Sequence, residues 1–242
     1  MQDTLFISDL HLDEEQPAIA DGLLAFLSRE AAHAHTLYVL GDLFETWIGD
    51  DNETLFNTRI AAAFRAFTDA GRALYFMHGN RDFMLGEAFA ARCGGTLIGE
   101  NTLIDLHGTR TLLLHGDSLC TDDHDYQKFR TMVRAPQWQE NILRLPLPAR
   151  LALAAKMRGE SKTHNANKAE NIMDVNEQAV AATLRAHHAE AILHGHTHRP
   201  AVHRVELGER TATRYVLGDW HAGKAWCIRA NSSGIHLESF TP

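Results

Sequence analysis

Short apolar runs alternate with longer amphipathic stretches along the first half of the chain. Residues 4–8, 36–40 and 73–77 are brief and β-rich, the pattern of buried strands. Between them, residues 19–34 place Leu23, Leu24, Phe26 and Leu27 on one side of a helix, and residues 55–70 do the same with Ile60, Phe64 and Phe67. A short helix is expected over 86–92. Residues 102–106 and 111–114 flank His107-Gly108-Thr109-Arg110 and predict a hairpin. Strand signals then vanish between 122 and 171, where 149–158 is helical in pattern. A core helix is expected over 171–187, with Val175, Ala179, Ala182 and Leu184 at helical spacing, followed by a strand over 189–193. Residues 202–207, 214–217, 225–229 and 234–239 close the chain as an antiparallel β series. Alternating β and α units followed by strands predict an α/β core of two packed sheets with helices outside. That core would comprise 1–121 and 172–242, with 122–171 as a helical insertion.

Five of the apolar runs end in residues able to hold a metal: Asp9 and His11, Asp42, Asn80, His115, and His196 with His198. Loops at the carboxyl ends of strands are where α/β sheets bind ligands. Gly195 frees the backbone and Pro200 biases Arg199 toward extended geometry, so that loop can aim both imidazoles into one small volume. Taken singly, each residue also fits a cap, a turn or a hydrogen-bonded histidine. Five equivalent positions together argue for one shared site. Four imidazoles, two carboxylates and one amide form a mixed hard and borderline donor set. It suits Mn²⁺, Fe²⁺ or Zn²⁺ better than Ca²⁺ or a thiolate-bound zinc. Seven donors are too many for one ion with an open position. They match two ions about 3.5–4 Å apart that share a carboxylate and clamp the oxygens of a phosphoryl displacement.

Charge changes the picture at the insertion. From Lys128 to Lys168 there are nine basic residues against two acidic ones, a surplus of seven, so the rest of a chain of net charge −8 carries −15. A basic island on an acidic body implies a local anionic partner, whether phosphate, nucleic acid or lipid headgroup, or else a solvated helix surface. Ile142, Leu143, Leu145, Leu147, Leu151, Leu153 and Met157 in the same segment predict a slot for acyl chains, flanked by cations for pyrophosphate or headgroups. Over the 242 residues, 45% hydrophobic and 22% charged, no apolar run reaches the roughly 20 residues of a membrane span. The start of the chain lacks a signal-peptide pattern, and three cysteines without zinc spacing fit a reducing cytoplasm. Asp50 and Asp51 read as a solvated turn, Asp117 as a turn or an orienting partner for a ligand histidine, and Trp47 and Trp220 as packing.

In chain order, Asp9-x-His11, Gly41-Asp42, Gly79-Asn80-x-Asp82, His115-Gly116-Asp117 and Gly195-His196-x-His198 resemble the motif series of the calcineurin-like metallophosphoesterase superfamily. The resemblance implies a four-layer αββα sandwich. It also implies one ion on Asp9, His11, Asp42 and His198, a second on Asp42, Asn80, His115 and His196, and in-line attack by hydroxide held between them. The series departs at Arg81, where most members carry histidine. Arginine grips phosphate oxygens but supplies no proton at neutral pH, so a leaving group needing no strong acid, such as a nucleotide phosphate, is expected. Longer matches over 41–51, 114–123 and 172–176 resemble the branch of that superfamily that splits the pyrophosphate bond of a diacylated UDP-glucosamine in lipid A biosynthesis. That likeness implies a Mn²⁺ pair and a place at the cytoplasmic face of the inner membrane; a monomer with no nucleic-acid partner is expected. It assigns catalysis to Asp42, Asn80, Arg81 and His196, and substrate contacts to Asn80, Arg81, Asp122, Ser161, Asn165, Lys168 and His196. Two alternatives are another superfamily enzyme acting on a soluble nucleotide and a non-catalytic binding protein of the same fold. The basic, leucine-rich insertion argues against the first and the complete ligand set against the second.

Overall fold

The computed structural model describes residues 3–165 and 174–242, with side chains described as far as Glu160 and again from Asp174. Its layers follow from alternation along single strands. In β1 (Asp3–Ile7), Leu5 and Ile7 face α1 (Pro17–Ser28) and α2 (Leu55–Asp69), packing with Leu23, Phe26 and Phe64. Phe6 faces the other way, toward Leu40, Met77, Leu113, Leu193 and Ile228. That second set joins two sheets. The first runs β11 (Gly234–Phe240), β10 (Ala225–Asn231), β1, β2 (Ala34–Leu40), β3 (Ala73–Met77), β4 (Thr96–Leu97). The second runs β5 (Thr102–Leu106), β6 (Thr109–Leu113), β7 (Ala191–His194), β9 (Thr211–Val216), β8 (Ala201–Glu206). On the far side of the second sheet, Leu112 and Ile192 pack against Val180 and Leu184 of α7 (Glu177–Ala186). The result is the four-layer αββα sandwich, with α3 (Glu87–Arg92) joining α1 and α2 on the first face through Phe89. Each large side chain fully buried in these clusters contributes about 1.5–3 kcal/mol.

β1, β2 and β3 are mutually parallel, as are β6 and β7, so their carboxyl ends gather along one rim of the sandwich. Between β6 and α7 lie α4 (His124–Val133), α5 (Pro136–Leu143) and α6 (Leu147–Asn165). Asp123 caps α4 by accepting from Tyr126 N at 3.1 Å, and Pro136 opens α5. No helix among the described residues is long and apolar enough to cross a membrane.

Three expectations need correction. The first helix ends at Ser28, and Ala34, expected inside it, pairs with Asp3 as the first residue of β2. A long-range ladder overrides the local helical pattern there. α7 begins only at Glu177, capped by Asn176, whose Oδ1 accepts from Ala179 N at 3.0 Å; the predicted helical stretch 171–173 lies outside the described residues. The closing strands do not form one antiparallel series. β8 and β9 join the second sheet, where β9 runs parallel to β7, while β10 and β11 join the first beside β1. Periodicity reports that a strand is buried, not which strand it pairs with.

Candidate metal centre

Five of the seven residues singled out at the strand ends hold left-handed backbone: Asp9 (φ 56°), His11 (50°), Asp42 (52°), His196 (68°) and His198 (54°). For residues other than glycine this conformation costs on the order of 1–3 kcal/mol each and persists only where surrounding structure enforces it. The enforcement is visible. Asp9 N donates to Gly41 O at 3.1 Å and His11 N to Asp42 O at 3.0 Å, tying the β1 and β2 loops together. His196 N donates to both Asp9 carboxylate oxygens, at 3.1 and 3.0 Å, tying in the loop after β7. The buried Asp82 carboxylate accepts from Leu43 N and Gly79 N, each at 2.8 Å, and from Asp42 N at 3.3 Å, adding the loop after β3. Two glycines permit this closeness. A Cβ at Gly79 would lie 2.0 Å from Asp42 Oδ1, and one at Gly195 would lie 2.0 Å from Asp9 Oδ2.

The loops bring all seven side chains to one place. His198 Nε2 lies 3.4 Å from Asp9 Oδ1 and 3.2 Å from His11 Nε2. Asn80 Oδ1 lies 2.9 Å from His115 Nε2 and 2.7 Å from His196 Nδ1. Asp42 stands between the two groups, its Oδ2 3.9 Å from His11 Nε2 and its Oδ1 3.6 Å from His115 Nε2. Asp9, His11 and His198 present ligand atoms within 4.8 Å of one another, as do Asp9, Asp42 and His115.

The buried carboxylates and imidazoles together form a donor set that suits a divalent cation. Burial opposes protonation of His11, yet its bond to Glu45 and the charges of Asp42, Asp9 and Glu45 raise it to about 9. Burial likewise opposes protonation of His115, and Asp42, Asp9 and Asp117 raise it nonetheless. Burial raises the Asp42 carboxyl, with Asp82 and Asp9 adding to that and His115 and His11 opposing. The Asp9 carboxyl would also rise on burial, but the His198 hydrogen bond and the nearby imidazoles hold it below the usual carboxylate range. Burial drives His196 down to about 3, leaving its ring neutral. Without metal, the raised His11 and His115 place positive character beside the buried carboxylates. Divalent cations would replace that charge.

The tautomers are set from behind. His115 Nδ1 donates to Leu40 O at 2.9 Å and His11 Nδ1 to Glu45 Oε2 at 2.9 Å, leaving both Nε2 atoms toward Asp42. Glu45 is in turn gripped by Arg158 of α6, which forms an ion pair with Oε1 and donates to Thr46 Oγ1 at 3.1 Å. Burial alone would raise Glu45; the His11 and Arg158 bonds bring it to about 2. No local pattern pointed to Glu45 or Arg158, because their partners are over thirty and over a hundred positions away.

Several side chains have other roles than those expected. Asp117 does not hold a histidine: its carboxylate accepts from Tyr126 Oη at 2.6 Å and Arg130 Nε at 2.9 Å, and so anchors α4. Asp50 is no solvated turn. It accepts from Trp47 Nε1 and Gly86 N at 2.9 Å and from Phe89 N at 2.8 Å, capping α3. Asp51 pairs with the buried Arg150 of α6. Trp47 and Trp220 are buried packing residues, as expected.

A cavity of about 310 Å³ opens beside the centre, under α4–α6. Asn80 and Arg81 line its metal-side end, and Phe83, Phe129, Trp138, Ile142, Leu153 and Met157 line its walls. The Arg81 Nε is buried without a hydrogen-bond partner among the described residues. Of the leucines expected in the slot, Leu143, Leu145 and Leu151 are instead 45%, 39% and 51% exposed, and Leu147 is not part of the wall. Helical rotation carries Leu143 and Leu151 to the outer face, Leu145 sits in the turn between α5 and α6, and aromatic residues from outside the leucine-rich stretch complete the lining. Asp122 also lies off the cavity wall, its carboxylate bonded to Asn176 Nδ2 at 3.0 Å. The side chains of Ser161, Asn165 and Lys168 fall outside the described residues.

The chain matches the calcineurin-like phosphoesterase family over residues 3–200. It is 53% identical over 237 residues to a UDP-2,3-diacylglucosamine hydrolase of Yersinia enterocolitica, covering 98% of each chain. It is 52% identical over 226 residues to one from Chromohalobacter salexigens, covering 93% of this chain and 92% of that one.

Proposed function

Because the chain belongs to the calcineurin-like phosphoesterase family, a family of metal-dependent hydrolases, we propose that it cleaves the pyrophosphate bond of UDP-2,3-diacylglucosamine. The products are UMP and 2,3-diacylglucosamine 1-phosphate (lipid X), an intermediate of lipid A biosynthesis. The observation that carries this reading is an apolar, aromatic-walled cavity opening onto the metal centre at Asn80 and Arg81. A soluble nucleotide has no use for such walls.

Asp9, His11, Asp42 and His198 would hold one Mn²⁺, and Asp42, Asn80, His115 and His196 the other. When bound, the pair supplies Lewis acidity and a water acidified toward neutral pH. The guanidinium of Arg81 grips non-bridging oxygens of the pyrophosphate as charge builds on them. Asn80 and the neutral His196 hold the phosphate in register with the attacking oxygen. Arg81 offers no proton to the departing phosphate, which leaves as an anion. Ser161, Asn165 and Lys168 complete the proposed sugar and phosphate contacts, ahead of Asp122, which is already engaged by Asn176.

Residues 122–171 form the cap in this reading, over a core of 1–121 and 172–242. Across α4–α6 and their connections, Met132, Leu143, Leu145 and Leu151 stand exposed, as do the side chains of Lys128, Arg144 and Lys156. These groups would rest on the anionic cytoplasmic surface of the inner membrane, with the enzyme a peripheral monomer.

Mn²⁺ binding is expected to release protons, because a ligand raised to about 9 must give up its proton to coordinate. Apparent affinity should climb with pH up to about 9 and then level. In the metal-free protein the same raised His11 stabilises the fold fully below its ordinary value of 6.5, and that contribution fades as pH passes through 9. Glu45→Ala should weaken metal retention about 10–100-fold. Calorimetry in two buffers of different ionisation enthalpy measures the proton count. A count of zero at pH 7 would remove His11 from the ligand set.

The decisive functional assay is Mn²⁺-dependent hydrolysis of UDP-2,3-diacylglucosamine beside unacylated UDP-glucosamine. The acylated substrate should have a kcat/KM higher by at least about 10²-fold, since each buried methylene contributes about 0.8 kcal/mol. Equal turnover of the two would refute the assignment.

A further inference from the structure

A second groove, of about 540 Å³, opens on the other flank of the metal centre. It shares only Glu45 and Arg81 with the apolar cavity. Its walls come from His11 and His198, from residues 16–19 at the start of α1, and from the 219–222 loop between β9 and β10. We infer that this groove is the nucleoside subsite. The uridine end of the substrate lies in it, the ribose hydroxyls donate to the Asp219 carboxylate, and the base rests between Gln16 and the loop at His221. The inference rests on the pyrophosphatase reading above and places the half of the substrate that the apolar cavity cannot hold.

Three observations support it. A pyrophosphate joins two unlike groups; in an in-line displacement the leaving group stands opposite the attacking oxygen while the retained group projects sideways from the phosphorus, so the two halves need separate space. The apolar cavity is committed to the acyl chains, and the other groove mixes polar groups, among them the Asp219 carboxylate, the Gln16 amide and the His221 imidazole, with flat apolar surface from Pro17, Ile19 and Trp220, a mixture that suits a nucleoside. Next, the Asp219 carboxylate is 40% exposed, with the His198 Nδ1 atom 3.9 Å away. No hydrogen bond engages it among the described residues. A carboxylate only accepts, so it repels a further phosphate and suits a vicinal diol. It therefore favours a nucleoside over a longer polyphosphate. Finally, the loop is held in register with the metal centre. Trp220 N donates to Asp9 O at 3.0 Å, Trp220 Nε1 donates to Trp226 O at 3.1 Å, and His221 and Lys224 exchange backbone bonds at 2.9 and 3.1 Å. A ligand seated against this loop is thereby positioned relative to Asp9. The volume also falls within the usual range for small-molecule sites, about 300–1,000 Å³.

The test is calorimetric titration of the Mn²⁺-loaded full chain with UMP, with 2′,3′-dideoxyuridine 5′-monophosphate and with inorganic phosphate. UMP should bind about tenfold more tightly than the dideoxy analogue, the equivalent of one good hydrogen bond to a charged group. Asp219→Asn should erase that gap. His221→Ala and Gln16→Ala should each weaken UMP severalfold while leaving phosphate affinity and Mn²⁺ content unchanged. Because Asp219 neighbours His198, Mn²⁺ content is measured for every variant, and the latter two carry the test if Asp219→Asn loses metal. UMP affinity at the wild-type value in metal-replete variants overturns the inference, as does a wild-type protein that binds UMP no better than phosphate. Failure of the functional reading shows separately, as wild-type protein that binds UMP in this groove yet leaves the diacylated nucleotide sugar intact.

Discussion

Asp42→Ala is expected to empty the metal centre and to lower turnover by at least about 10³-fold, more than the loss of a single preorganised donor produces. Asp42 presents one carboxylate oxygen to His11 and the other to His115, so it faces both halves of the site. Asp9 also borders both groups, but its carboxylate is held by Ser8 Oγ at 2.5 Å, by His196 N and by His198, so it does not swing into the place of Asp42. Elemental analysis should find the metal content falling from two ions per chain to below one. The fold should survive. Burial raises the Asp42 carboxyl, which marks it as a costly charge in the metal-free protein, so alanine relieves a penalty as it removes a ligand. The bond lost with it, from Arg81 N to Asp42 Oδ1 at 2.8 Å, is a modest one of about 1 kcal/mol. A variant that keeps two ions and near-normal hydrolysis would end the bridging role.

Arg81→Ala should separate catalysis from metal binding. The Arg81 backbone N–H holds Asp42, and alanine keeps that bond. The guanidinium instead lines both the apolar cavity and the second groove, with its Nε buried and unpartnered among the described residues. Two retained ions with a kcat lower by about 10²–10³-fold are therefore expected, the usual cost of removing one preorganised charge stabiliser. Arg81→Lys should recover only part of the loss, because an ammonium restores charge without the planar fork. If Arg81→Ala loses metal in proportion to activity, the side chain serves the ligands and not the phosphate.

Much of this architecture was legible in the chain itself. Strand ends marked by Asp9, Asp42, Asn80, His115 and His196 stood out because apolar runs stop abruptly at polar residues, and parallel strands bring such ends to one rim. The leucines of α5 and α6 and the segment between them misled. Ile142, Leu153 and Met157 face the cavity while Leu143, Leu145 and Leu151 face outward, and apolar character alone carries no direction. Asp50 and Asp51 looked like a solvated pair because their partners, Phe89 and Arg150, are dozens of positions away.

By itself, the sequence determined the order of strands and helices, the donors at the strand ends and the basic, apolar character of the segment beyond β6. These are local properties: periodicity, turn chemistry and residue type at a strand end. Tertiary structure alone decided that β9 joins β7 while β10 joins β1, that Glu45 and Arg158 stand behind His11, and that two separate grooves flank one metal centre. Each of these depends on which distant surfaces meet, and partner choice is settled by the packing of the whole core, for which no single stretch of chain carries a signal.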